Sequence, residues 1–114
     1  WAWRVEFEGL LAIADAFRNS SPAMVNRALP GPMDHPQIPA LAERGLLRVN
    51  QFFEVLNERL ATREFIATER FSLVDITAVV AVDFARVVKV RVTEAHPHLL
   101  RWREAMGLRP SMSL

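Results

Sequence analysis

Along the first 18 residues, apolar side chains recur at alternating spacings of four and three: Trp3, Phe7, Leu10, Ala14 and Phe17. That period is helical and puts all five on one face. Arg4, Glu8, Leu11, Asp15 and Arg18 form a second, mostly charged line at the same spacing. Residues 1–18 are therefore expected to form an amphipathic helix. Arg4–Glu8 and Asp15–Arg18 stand where opposite charges meet, each pair contributing ~0.2–0.5 kcal/mol. Gly9 costs up to ~1 kcal/mol in mid-helix, which points to a close approach by a neighbouring helix. Asn19 to Gln37 is the punctuated region. Ser21-Pro22 opens a short helical turn ending near Arg27, and Pro30-Gly31-Pro32 breaks the chain. Asp34, Pro36 and Pro39 prepare the next start. A stronger helical pattern runs from about residue 38 to residue 60, with Ala42, Leu46, Val49, Phe53, Leu56 and Leu60 on one seam. Leu47 and Phe52 widen it, so this helix is expected to be buried on more than one side.

The third pattern is of another kind. Residues 76–92 include Ile76, Thr77, Val79, Val80, Val82, Val87, Val88, Val90 and Val92. Such a β-branched run leans towards strand, and as a helix it loses up to ~0.7 kcal/mol per residue relative to Ala. A start signal stands directly ahead of it. The Ser72 side chain can accept from the backbone N–H of Asp75, while the Asp75 carboxylate can accept from the N–H of Ser72. Phe71 and Ile76 occupy the positions of a hydrophobic staple. A cap of this kind returns roughly 1 kcal/mol, and core packing must supply the rest. The segment is thus expected to be a buried central helix. Loss of either Ser72 or Asp75 to Ala should then lower stability by ~0.5–2 kcal/mol. Further on, Thr93 to His96 is a connection and Pro97 opens a short last helix with Leu99, Trp102 and Met106 on its buried face. Gly107 is placed to end that helix with a left-handed residue, and Pro110 prevents its resuming. The fold class is all-α, a bundle of four main helices plus short turns, with residues 1–114 as a single helical domain.

Composition narrows the function. About half of the 114 residues (51%) are apolar, enough for a core and an interface. The formal net charge is only +1 with both signs interspersed, so there is no basic recognition helix or stripe for nucleic acid. The chain has no Cys, which rules out disulfides and thiolate metal sites and fits a reducing, cytoplasmic setting. Asp83, Arg86, Lys89 and Arg91 interrupt the most apolar stretch, against a membrane span. No signal peptide is visible. The chain opens on Trp1 without Met and already in helical periodicity, so its first helix is expected to begin upstream.

Candidate chemistry is sparse. Ser72 and Asp75 have no His beside them and read as a cap, not as a nucleophile and its partner. His96 and His98 flank Pro97 while His35 lies in the loop; metal binding would need a third ligand and a geometry that Pro97 makes awkward, so no metal is expected. Asp83, Arg86 and Lys89 share one side of the central helix, as a solvated face or as a polar seam against another domain. Trp1, Trp3, Phe7 and Phe17 read as core or dimer contacts before a ligand cage. Binding groups are best sought at the end of the first helix and in its loop: Asp15, Arg18, Asn19 and Met24. A surface salt bridge between Asp15 and Arg18 is the competing reading.

Two segments carry a family resemblance. Glu64-Phe65-Ile66-Ala67-Thr68-Glu69-Arg70-Phe71-Ser72-Leu73-Val74-Asp75-Ile76-Thr77 resembles the segment entering the central helix of the C-terminal domain in glutathione S-transferases. His96-Pro97-His98-Leu99-Leu100-Arg101-Trp102 and Met106-Gly107-Leu108-Arg109-Pro110-Ser111 look like that family's closing helix. The resemblance implies that a thioredoxin-like N-terminal domain precedes the chain. It implies conjugation of glutathione, as co-substrate, to an apolar electrophile by a homodimer, a detoxification role. In the family the first helix of this domain lines the electrophile pocket, and an acidic residue from it often helps hold the γ-glutamyl amine. Asp15 is the candidate for that residue, with Glu8 its rival. The family's donor to the thiol is usually Tyr, Ser or Cys of the thioredoxin-like domain. This chain has no Tyr and no Cys, so no catalytic residue is assigned to it and no cofactor is expected to bind it alone. The alternative is a non-catalytic protein-interaction module of the same fold, as in translation-associated proteins that resemble it.

Overall fold

The computed structural model describes residues 1–109; the stop expected at Pro110 lies outside the described residues. Helix α1 (Ala2–Arg4) continues through a π-helical turn, Val5–Leu10, into α2 (Leu11–Arg18). Then follow α3 (Pro39–Leu60), α4 (Leu73–Phe84) and α5 (Pro97–Gly107), with 3-10 turns at Pro22–Met24 and Ala85–Val88. There is no strand among the described residues, only a lone bridge between Arg27 and His35 in the loop. The molecule is an all-α bundle of four main rods.

The valine-rich segment is helical because of what surrounds it. Ala78, Val79, Ala81 and Val82 are buried in one core with Phe53, Leu56, Leu99 and Trp102. Its first turn is held by Asp75, which is fully buried. Asp75 Oδ2 accepts the Ser72 amide at 3.0 Å, the reach-back bond expected from the sequence. The Ser72 hydroxyl lies 3.5 Å from the same oxygen. The Asp75 amide donates to the Ser72 carbonyl at 3.0 Å. Asp75 Oδ1 serves two more donors, the Ile66 amide and the Trp102 indole N–H, each at 3.1 Å. One carboxylate therefore fastens the preceding loop, its own helix and α5. Around it, Phe71 meets Phe65 edge-on at 6.3 Å between centroids. The Arg109 guanidinium lies 4.0 Å from the Phe71 ring centre. Phe71 and Ile76 are both half-buried.

The central helix ends sooner than the expected 76–92. It tightens after Phe84 and stops at Lys89, whose φ is +63°. The Val90 amide donates to the Ala85 carbonyl at 3.2 Å and the Lys89 amide to the Arg86 carbonyl at 2.9 Å. This is a Schellman closure with lysine where glycine is usual. Residues 90–92 are outside the helix, which relieves Val90 and Val92 of a conformation that β-branched side chains resist. At the end of α5 the expectation is also corrected. Gly107 stays inside the helix, and only Asn26, Gly31 and Lys89 have positive φ among the described residues. Short bonds from Leu108 to Ala105 and from Arg109 to Met106, at 3.2 and 3.1 Å, satisfy the last carbonyls without a left-handed residue.

The face of the first rod is the largest correction. Val5, Gly9, Ala12, Ile13 and Ala16 are buried, while Trp3 is 66% and Phe7 44% exposed. The π-helical turn changes the number of residues per turn between Val5 and Leu10, so a constant helical period cannot be carried across it. Gly9 does serve a close approach: a Cβ there would stand 2.8 Å from the Phe52 ring. Gly45 does the same where α3 crosses α2, since its Cβ would meet the Ala16 nitrogen at 2.8 Å and the Ala12 carbonyl oxygen at 2.9 Å. On α3, Val49, Phe52, Phe53, Leu56 and Leu60 are buried, but Leu46 and Leu47 are exposed. Burial on several sides therefore begins only past Arg48.

Urea unfolding of three variants tests these readings. Ser72→Ala removes one part of the first turn and lowers stability by ~0.5–2 kcal/mol. Asp75→Ala strands three N–H donors and costs about 3–5 kcal/mol, so equal losses would contradict the shared-carboxylate reading. Lys89→Gly removes the left-handed penalty and raises stability by up to ~1 kcal/mol. A clear loss instead would mean that the lysine side chain holds the turn.

Candidate functional site

Beside the junction of α2 and the N-terminal half of α3 lies a cleft of about 480 Å3. Phe17 comes from the first rod, Ser20 from the turn after it, Glu43 and Leu46 from α3, and Val87 and Lys89 from the closure after α4. A second recess of about 710 Å3 shares Leu46, Val88 and Lys89 with it and extends to Phe53 and His96. The walls are largely apolar, with Lys89 at the point both share. Such a surface accepts an apolar body and offers few polar groups to orient it.

Asp15, Arg18, Asn19 and Met24 are not among the residues lining either recess. Asn19 is buried and engaged: its side-chain amide donates to the Asp15 carbonyl at 2.8 Å, and its oxygen accepts the Ile38 amide at 3.0 Å. Arg18 donates to the Arg27 carbonyl at 2.8 Å, where an ion pair with Asp15 was the competing expectation. Gln37 spans the loop from the other side, donating to the Arg18 and Ser21 carbonyls at 2.9 and 2.7 Å. These side chains hold the loop of residues 19–38 closed over the helix end. Met24 is half-buried in the 3-10 turn, and Asp15 is half-buried on α2. Glu8 pairs with Arg4 at 3.2 Å and lines a separate recess with Phe7 and Arg48.

The lining residues that sequence reasoning missed come from separate elements. Ser20, Glu43 and Val87 share no local pattern, and only the fold assembles them. Lys89 had a signal in its spacing from Asp83 and Arg86, but that row splits. Asp83 accepts both forks of Arg103 at 2.8 Å. That hydrogen bonding holds the Arg103 guanidinium above its ordinary pKa, against the opposing effect of burial. His96 packs edge-on to Phe53 at 6.0 Å, and His98 donates its backbone amide to Asn57 at 2.9 Å.

The family model for the glutathione S-transferase C-terminal domain matches residues 20–110. Among solved structures, a glutathione S-transferase of class Gtt2 from Vibrio parahaemolyticus is 34% identical with a TM-score of 0.77, over 98% of this chain and 47% of that one. A glutathione S-transferase domain-containing protein from Marinobacter aquaeolei VT8 is 29% identical with a TM-score of 0.81, over 97% of this chain and 52% of that one. Gtt2 from Saccharomyces cerevisiae is 26% identical with a TM-score of 0.83, over 97% and 51%. The chain thus spans about half the length of the solved structures it matches. No curated protein matches it. With the family model covering most of its length and the same helical framework in these structures, the chain belongs to the glutathione S-transferase C-terminal domain family.

Proposed function

We propose that this chain is the helical half of a glutathione S-transferase-like enzyme, paired with a thioredoxin-like domain that supplies the glutathione-activating donor. The observation that carries this reading is the apolar cleft formed by Phe17, Leu46 and Val87 with Lys89 at its lip. In a two-domain protein it would wall the pocket for an apolar electrophile. The thiol gives up its proton to solvent before attack, and the donor's hydrogen bond stabilises the thiolate. As the sulfur–carbon bond forms, the electron pair of the bond broken departs with the electrophile's leaving group. Where the electrophile is an activated double bond, that pair stays on the electrophile, which then takes up a proton. This half contributes shape, water exclusion and orientation, and works in a cytoplasmic, reducing compartment. No helix among the described residues is long and apolar enough to cross a membrane.

Dimerisation is the second part of the proposal. Trp3 and Phe7 stack at 4.9 Å between centroids, nearly parallel, yet both face solvent. Arg48 lies 5.1 Å from the Phe7 ring centre. Two stacked aromatics with a neighbouring cation form a compact anchor of the kind that concentrates binding energy in an interface.

Steady-state kinetics test the cleft. The isolated chain conjugates glutathione no faster than the spontaneous reaction. Ala42 of α3 also lines the cleft; in the full-length protein, Ala42→Trp fills it and raises KM for an apolar electrophile by about tenfold, leaving KM for glutathione unchanged. An unaltered electrophile KM would move the pocket elsewhere. Sedimentation velocity tests the anchor: the double variant Trp3→Glu, Phe7→Glu shifts full-length protein from dimer to monomer. A dimer that survives both changes would place the interface on another face.

A further inference from the structure

Between α4, the turn that follows it and α5 lies a compact recess of about 280 Å3, lined by Val82, Asp83, Arg86, Arg91, Leu100 and Arg103 among others. Three guanidinium-bearing residues and a single carboxylate line it, a surplus of two positive charges. The carboxylate is already engaged, because Asp83 accepts from Arg103 Nε and Nη2 at 2.8 Å each. That bidentate pair fixes the plane of Arg103. Neither Arg86 nor Arg91 makes an ion pair or side-chain hydrogen bond with any described residue. Arg86 and Arg91 are both exposed, so solvent screens their repulsion and their donors are open to a ligand. The backbone that gathers them is itself unfavourable, since Arg91 follows the left-handed Lys89. The packing of Val88, Val90 and Val92 against the core holds the turn that brings them together.

We propose that the recess is a binding site for a compact oxyanion of the phosphate type, either free phosphate or a phosphate monoester. Arg86 and Arg91 bind it, and Asp83 positions Arg103 as the third side. Two unpaired guanidinium forks offer more donors than the two oxygens of a carboxylate can use. The three terminal oxygens of a phosphate group accept from both forks, and its charge of about −1.5 to −2 matches the surplus. The apolar wall of Val82, Val92 and Leu100 limits access of water to one side, which strengthens each charge-assisted bond. The site is formed by this chain alone and is independent of the transferase reading.

Calorimetric titration of the full chain at constant ionic strength tests it, with inorganic phosphate, phenyl phosphate and acetate as probes. Phosphate or its ester is expected to bind at one saturable site, about tenfold or more tighter than acetate. Preference for the free ion or for the ester identifies the source. Arg86→Gln with Arg91→Gln should weaken phosphate binding by about tenfold or more, while the unfolding midpoint without ligand stays at or above the parent's. In the unaltered chain the Arg86 and Arg91 side-chain Nε resonances should shift on phosphate addition, a readout that needs no variant. Phosphate binding no tighter than acetate, unmoved resonances, or a double variant that binds like the parent would each overturn the proposal.

Discussion

One buried carboxylate decides how this chain can fold. Asp75 stands in the core with no cation among the described residues as a partner, and an isolated charge there would be strongly unfavourable. It is tolerated because backbone and indole N–H groups converge on it: Ile66 and Trp102 on one oxygen, Ser72 on the other. Each donor comes from a different part of the chain. The loop before α4, the first turn of α4 and the middle of α5 must therefore all be in place before the charge is satisfied. This gives the valine-rich segment a reason to be helix that its own propensities do not supply. A strand would carry Asp75 away from at least one donor. The same geometry explains why the two segments that carried the family resemblance belong together. They meet in space, Asp75 against Trp102 and the Phe65–Phe71 pair under Arg109.

A similar economy governs the helix ends. His96 precedes α5 but its side chain makes no cap bond. Asn57, on α3, reaches across and accepts the His98 and Leu99 amides at 2.9 and 3.0 Å. Arg101 returns the support by donating to the Leu60 and Arg63 carbonyls at 3.0 and 2.9 Å, at the end of α3 where a cation also complements the dipole. Asn19 does comparable work for the Ile38 amide ahead of α3. Local capping is thus largely replaced by capping between elements. Helix formation and helix packing become one event, because the orphan groups of each end are satisfied only after docking.

That substitution marks the boundary of what the sequence disclosed. The bond from Ser72 to Asp75 could be read because both residues lie within one turn. The bonds to Ile66 and Trp102 could not, since nine and 27 positions separate those pairs. The existence of each rod was visible in its period. The inward face of the first rod was not, because the π-helical turn alters the period partway and Gly9, with no side chain to show on a hydrophobic plot, marks the closest contact. The binding candidates failed for a related reason. Asn19 and Arg18 are polar residues at a helix end, where functional groups and loop clasps have the same composition. Only their filled hydrogen-bond positions tell the two apart.

The closure at Lys89 shows how the scaffold creates its surfaces. Up to Ala85 the central helix is held by buried alanines and valines along one face, while Val80 and Phe84 on the other side are exposed, so it is not buried all round. Beyond that point Arg86 and Val87 are exposed, packing no longer offsets the β-branched penalty, and the helix gives way. The chain then turns through a left-handed residue. Three recesses open on this one turn: the apolar cleft takes Val87, Val88 and Lys89, its larger neighbour Val88 to Arg91, and the arginine recess Arg86 and Arg91. Residues of a single strained closure thus serve different environments. Relaxing that backbone would displace walls of all three at once, so the turn's conformation is coupled to these surfaces by geometry alone. A stiff core that stops at Ala85, followed by a short segment held by two backbone hydrogen bonds, is the arrangement that makes such coupling mechanically simple.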